Sequence, residues 1–277
     1  MSRTRLAALI TTCLLLLSLG VAAPASALSG GTALPTGQRL TPWFASLVVK
    51  GDQPLADRVS CGGALIGPRT VLTAAHCTDG LSTAQVATQA EVHVGATTLS
   101  RDPGTVRGIV DVRVHPKYRI IPSPAAPDQS ELSSATYDVE VLTLDRPITG
   151  VRPLTLSTEA PRSGRLAVLL GHGISRPDTG PTDALRSGLF TTGRLDRCAT
   201  ATPATVDSAA MTCATSTGFG RAAACFGDSG GPLVSLDRHG RPVLLGVFSF
   251  GMETAGKQCG AAGPDFFTRS DIIAAWL

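Results

Sequence analysis

Apolar residues in this chain fall in short runs of about four to eight positions, alternating or continuous, each closed by Gly, Pro or Asp. Examples are Ala45–Val49, Gly63–Ile66, Glu91–Val94, Ile109–Val114, Leu166–Leu170 and Val243–Val247. Alternation marks a strand with one buried face, and a short continuous run marks a strand covered on both. The pattern therefore predicts an all-β sandwich or barrel, with many turns. One stretch has helical spacing, Asp271–Leu277, with Ser270 placed to cap it. Ile121–Ser130 carries Pro122, Pro124 and Pro127 and reads as an exposed, irregular loop that could divide two halves. No internal repeat stands out.

The first residues follow a different rule. Arg3 and Arg5 precede a mostly apolar stretch, Leu6–Val21, with Leu14–Leu17 at its centre, and Ala25-Ser26-Ala27 supplies small residues at a cleavage point. Residues 1–27 read as a secretory signal. The alternative, a membrane anchor, is disfavoured because the stretch is short for a span of roughly 20 residues and ends near Gly20 and Pro24. The expected mature chain is one domain, residues 28–277, with two halves meeting at about 145–165. Export changes how the 7 cysteines are read. Cys13 leaves with the signal; Cys61, Cys77, Cys198, Cys213, Cys225 and Cys259 remain as an even set, suited to disulfides. Spacing alone leaves about fifteen pairings open. No Cys-x-x-Cys pair points to zinc. The formal charge of +3 falls to about +1 without Arg3 and Arg5, so neither nucleic acid nor an anionic membrane is an expected partner.

Candidate chemistry centres on Gly227-Asp228-Ser229-Gly230-Gly231-Pro232. Such a run is good turn chemistry. It also lets the N–H groups of Gly227 and Ser229 point into one hollow, as an oxyanion requires. A serine nucleophile needs a base, and the base needs an anion to hold its tautomer. Of the five histidines, His76 ends the apolar run Val71–Ala75 beside Cys77. His93 alternates with valines as a strand residue, His115 marks a strand end before Pro116, His172 lies in a Gly-His-Gly turn, and His239 sits at a solvated hairpin tip. Asp138 heads the apolar run Val139–Leu144, either as a strand cap or as the orienting anion.

Three blocks carry a resemblance. Cys61–Ile66 through Thr73-Ala74-Ala75-His76-Cys77, then Tyr137–Leu144, then Gly227–Pro232, resemble in order the histidine, aspartate and serine blocks of the chymotrypsin-like (trypsin-like) serine proteases, in secreted, bacterial-type form. The likeness runs from about Leu28 to Leu277. It implies two antiparallel six-stranded β-barrels with a short C-terminal helix and the cleft between the barrels as active site. It implies Ser229 as nucleophile, His76 as proton shuttle and Asp138 as its orienter, with Gly227 and Ser229 N–H groups as oxyanion hole. It also implies disulfides Cys61–Cys77, Cys198–Cys213 and Cys225–Cys259. In the family a new N-terminal ammonium pairs with the aspartate before the nucleophile. Here that pair is Leu28 with Asp228, and Leu28 directly follows Ala25-Ser26-Ala27, so signal removal itself would create the activating terminus; the alternative is cleavage elsewhere, with a short propeptide.

The same resemblance makes Ala223 the base of the specificity pocket, with Ser249, Phe250 and Gly251 as wall and Pro264-Asp265-Phe266-Phe267 as back strand. Ala223 removes the aspartate that would select Arg or Lys, but Asp265 stands where a glycine is usual. Two readings follow: a basic or mixed preference through Asp265, favoured because an unpaired buried carboxylate is costly, or an apolar preference. Glu140 and His172 also depart from the family pattern, standing where a small residue and a tryptophan are usual. The long interval between His76 and Asp138 places its excess in the Pro-rich loop, which could restrict or recruit substrates. No cofactor and no metal are expected. The partners are protein or peptide substrates, with room for a proteinaceous inhibitor, and the chain is expected to be a secreted monomer. The alternatives in class are a secreted binding protein of little activity and an esterase with the same triad.

Overall fold

A computed structural model describes residues 28–36, 40–128, 132–174, 180–217, 222–251 and 263–277. The expected signal, residues 1–27, lies outside them. In chain order the strands are β1 (Thr32–Ala33), β2 (Phe44–Val49), β3 (Val59–Gly67), β4 (Thr70–Thr73), β5 (Ala90–Val94), β6 (Thr105–Val114), β7 (Arg119–Ile121), β8 (Ser134–Thr136) and β9 (Glu140–Leu144). They continue with β10 (Thr155–Leu156), β11 (Leu166–Gly171), β12 (Arg186–Thr192), β13 (Met211–Ser216), β14 (Pro232–Leu236), β15 (Pro242–Phe250) and β16 (Pro264–Arg269). The helices are α1 (Thr83–Gln89), α2 (Leu195–Ala199) and α3 (Ser270–Trp276).

Strands β2-β3-β4-β9-β6-β5 close into one antiparallel barrel. In the second sheet β12-β11-β14-β15-β16-β13 run side by side, and β13 pairs back onto β12, closing a second six-stranded barrel. Closure leaves no free edge along these strands. All six apolar runs named above lie within strands, in β2, β3, β5, β6, β11 and β15. Phe44, Leu65, Leu72, Leu142 and Leu144 fill the first barrel, and Leu169, Phe190, Leu233, Leu245 and Phe267 fill the second. The first core continues through Leu170, Val247 and Ile273, which binds the barrels to each other and to α3.

Three expectations need correction. Ser270 does not cap the last helix: it is the first residue within α3, fully buried, and its hydroxyl donates to Ser157 O at 2.6 Å. The terminal stretch is not the only helical one. Ser82 and Gln85 form a capping box that starts α1, yet α1 buries only Val86 and α2 only Cys198. Neither short helix therefore has an apolar stripe to read. Finally, the Pro-rich segment does not divide the halves. It extends the β7–β8 hairpin between β6 and β9, strands of one barrel. Nor is it wholly exposed: Ser123 is buried, and the hydroxyls of Ser123, Ser134 and Thr136 donate to Pro203 O, Thr205 O and Asp207 Oδ2 at 3.1, 2.6 and 2.5 Å.

Disulfides Cys61–Cys77 and Cys198–Cys213 are present as expected. Cys225 is disulfide-bonded, while its expected partner Cys259 lies outside the described residues. Cys198–Cys213 fastens α2 to β13 across a separation of 15 residues. A loop of that size is worth about 3 kcal/mol, so the C198S/C213S double variant should unfold in urea with about that much less stability. Among the described residues no helix is long and apolar enough to cross a membrane.

Candidate active site

Pairing of β4 with β9 sets Thr73 opposite Glu140. The chain leaving β4 at Thr73 and the chain entering β9 at Glu140 are thus neighbours. The first turns into a 3₁₀ segment, Ala75–Cys77, that carries His76; the second carries Asp138. His76 N–H donates to Asp138 Oδ1 at 2.9 Å, and His76 Nδ1 lies 2.7 Å from Oδ2. A carboxylate only accepts, so this contact puts the imidazole proton on Nδ1 and leaves Nε2 as the basic nitrogen. Asp138 is fully buried while His76 is partly exposed. Burial pushes the Asp138 carboxyl up, but His76 and the hydrogen bonds from His76 and Ser249 outweigh it and hold the group below its usual range. Burial likewise pulls the His76 imidazole down, and the Asp138 charge and hydrogen bond reverse that, leaving it raised.

Two further hydroxyls fix Asp138. Ser249 Oγ donates to Oδ2 at 2.5 Å and Thr268 Oγ1 to the Asp138 carbonyl at 3.0 Å. Pairing of β15 with β16 shifts between Phe248 and Phe250, so Ser249 sits at an irregularity that re-aims its side chain. Ser249, expected as pocket wall, is therefore also an Asp138 partner. Its signal is a hydroxyl inside an apolar run. Thr268 has no comparable signal. Tyr137 precedes Asp138 with φ of 50°, a left-handed conformation rare for such a residue, and its ring stacks on His115 at 4.7 Å.

Ser229 belongs to the turn between Cys225 and β14. Gly227 and Gly230 have φ of 89° and 76°. A Cβ on Gly230 would overlap Thr73 Oγ1 and Gly62 O and stand 2.9 Å from Ala74 N. That close approach seats the serine turn on the strand end that carries His76, and Gly62 N–H donates to Ser229 O at 2.7 Å. Within the turn, Asp228 N–H donates to Cys225 O and Gly230 N–H to Phe248 O, at 3.0 and 2.9 Å. Among the described residues the N–H groups of Gly227 and Ser229 donate to no protein acceptor. No hydrogen bond joins Ser229 Oγ to His76 Nε2 among them either; such contacts commonly tighten only with substrate bound.

Asp228 directs its side chain to Gly173 and back to Cys225 at the head of its own turn. It is fully buried, accepting from Gly173 N–H at 2.9 Å and Cys225 N–H at 3.0 Å, and burial pushes its carboxyl up to about 7. Leu28 is also fully buried, packed with Phe190, Ala222 and Leu169 in the second core. Ala223 N–H donates to Ser29 O at 2.9 Å, joining the Leu28 segment to Ala223, the expected pocket base. Asp265 is buried too: its Oδ2 accepts from Ala224 N–H at 3.3 Å, and a Cβ on Gly251 would stand 3.1 Å from its Oδ1. Burial pushes Asp265 up to about 7. Asp265 thus lies against Gly251 and against Ala224, the neighbour of Ala223; residues 252–262 lie outside the described residues.

The other histidines are engaged elsewhere. His93, within β5, contacts Pro103 O at 2.8 Å, and His239 is exposed beside Arg238. His115 is more than a strand end, buried between the Tyr137 and Trp276 rings. His172 is buried 2.9 Å from Thr182 O, and burial lowers it to about 4, so it is a neutral packing residue. Cys61, His76 and Cys77 lie close enough to suggest a metal site, but both sulfurs are in a disulfide and offer no thiolate.

A family model described as Trypsin matches residues 28–277. Trypsin of Saccharopolyspora erythraea is 33% identical over 195 residues, 69% of this chain and 75% of that protein. Trypsin zeta of Drosophila erecta is 31% identical over 72% of this chain and 66% of its own length. Serine protease 56 of Homo sapiens is 32% identical over 90% of this chain but only 38% of its own length. Neuropsin, a serine protease expressed in the limbic system of mouse brain, superposes with a TM-score of 0.67 at 25% identity, covering 89% of this chain and 96% of that one. Relatives thus come from animals as well as a bacterium, which does not single out a bacterial type. Barrel architecture, block order and these matches agree: the chain belongs to the trypsin-like serine protease family.

Proposed function

We propose that this protein is a secreted serine endopeptidase that cleaves peptide bonds through an acyl-enzyme. The observation that carries the proposal is the short His76–Asp138 contact of 2.7 Å, with Nε2 left basic next to the serine turn. In this reading His76 Nε2 takes the Ser229 proton as Oγ attacks the carbonyl carbon. The Gly227 and Ser229 N–H groups stabilise the oxyanion. His76 then protonates the leaving amine, and a water repeats the sequence on the acyl-enzyme. Labelling with a fluorophosphonate should modify Ser229 alone, and peptide substrates should turn over in preference to lipid esters. An unlabelled protein would instead be a binding member of the family.

Primary specificity is proposed to be basic or mixed, set by Asp265. A carboxyl whose pKa is raised to about 7 is neutral below that pH and charged above it. The neutral form, hydrogen-bonded to Ala224 N–H, favours the second reading, an apolar pocket. The expected outcome joins the two: kcat/KM for Arg relative to Phe peptides rises as pH increases through about 7. D265N should abolish that rise and lower the Arg rate about 10–100-fold, the worth of a hydrogen bond to a charged group. A ratio flat with pH in the parent enzyme would overturn the role of Asp265. Substrates are proteins or peptides, with a proteinaceous inhibitor as a further partner. The chain acts as a monomer after residues 1–27 are removed on export.

A further inference from the structure

Glu140 is fully buried two residues beyond Asp138, at the start of β9. Its Oε2 accepts from Thr78 Oγ1 at 2.5 Å, and its Oε1 is buried with no hydrogen-bond partner. Thr78 lies two residues beyond His76. The pairs His76–Asp138 and Thr78–Glu140 therefore share one separation, 62 residues, and form parallel rungs between the same two segments. We propose that Glu140 is a positioning residue for His76, the Glu140–Thr78 bond being a second rung that fixes the turn carrying the imidazole to the strand end carrying Asp138. The inference rests on the triad reading above.

The form of Glu140 that does this is the neutral acid. A carboxylate with one oxygen buried and unpaired, this close to Asp138, would carry an uncompensated charge. Burial is the largest cause pushing Glu140 up to about 8; the Thr78 hydrogen bond opposes it and the Asp138 charge adds to it. The titratable groups that face it are Asp138 on its own segment, His76 and Asp79 from the turn after β4, and Tyr118 after β6. None of these except a protonated His76 supplies a positive charge. Below about pH 8 Glu140 is a neutral rung. Above it, a second negative charge stands beside Asp138 and raises the proton affinity of the imidazole.

The test uses mature enzyme, first checked for fluorophosphonate labelling of Ser229, so that a failure of the triad reading is seen separately. E140A should lower kcat about tenfold or more with KM little changed, because orientation and not substrate contact is lost. E140Q keeps the neutral shape and should restore most of that kcat. The His76 ring-proton NMR signal of the parent should show an extra inflection near pH 8 that E140Q lacks. An E140Q variant no faster than E140A, or an inflection that persists in E140Q, overturns the proposal. Should E140A not fold, T78V takes its place with the same expected kcat loss, and an undiminished kcat in T78V is equally contrary.

Discussion

In the S229A variant, hydrolysis of a chromogenic peptide falls about 10⁴-fold or more while the thermal unfolding curve stays in place. The size of the loss follows from what Ser229 contributes. In the proposed mechanism it supplies the bond-forming oxygen, and without it only substrate positioning and the proposed oxyanion donors at Gly227 and Ser229 would remain. The Ser229 side chain is little engaged in packing, since the turn is held by Gly62 N–H to the Ser229 carbonyl and by the Gly230 contact with Thr73 and Ala74. Stability is thus spared. H76A should lose a similar amount, and S229A/H76A should be no worse than either alone, because in the proposed mechanism the two groups act in one proton transfer. An S229A protein retaining a tenth of the parent rate would end the serine-nucleophile reading.

The second large effect concerns the amine of Leu28. Protein in which residues precede Leu28 should be inactive, and protein beginning at Leu28 active. With Leu28 N in a peptide bond, buried Asp228 has two backbone N–H donors among the described residues, and burial pushes its carboxyl up to about 7. A free ammonium at Leu28 that reaches Asp228 would supply the missing charge. The pair would tie Asp228, and with it the turn that carries Ser229, to a segment already joined to Ala223 through Ala223 N–H and Ser29 O. D228N leaves that ammonium buried without its partner. Breaking such a pair costs about 3–5 kcal/mol, so activity should drop about 10²–10⁴-fold. The pH dependence has a definite sign. A free α-amine titrates near about 8, and pairing raises that value in the active state. The active conformation is therefore fully populated at lower pH and is lost as pH climbs through the raised value. N-terminal sequencing of active secreted protein decides the point, since any start other than Leu28 contradicts it.

Legibility differed among the parts of the site. His76, Asp138 and Ser229 each sit in a local pattern that the chain displays: a histidine closing an apolar run, an aspartate opening one, a serine among glycines. Glu140 was visible as a charge inside an apolar strand, but nothing local told that it faces Thr78 and shares the two segments of the His76–Asp138 pair. Thr268 was not visible at all, because a threonine in a strand is ordinary and its partner is 130 residues away. Helices α1 and α2 escaped because each buries one side chain, and one buried side chain has no period.

By itself the sequence determined the strands named from its apolar runs and the three blocks that carry the family resemblance, because strand alternation and turn residues act over a few neighbouring positions. Closure of two barrels, the seating of Gly230 on Ala74, the aim of Ser249 at Asp138 and the burial of Asp228, Asp265 and Glu140 belong to tertiary structure alone. Each depends on groups far apart in the chain entering one low-dielectric volume. There a carboxyl's charge state is set by which donors reach it, and local sequence carries no record of the distant ones, Gly173 for Asp228, Ala224 for Asp265 and Thr78 for Glu140.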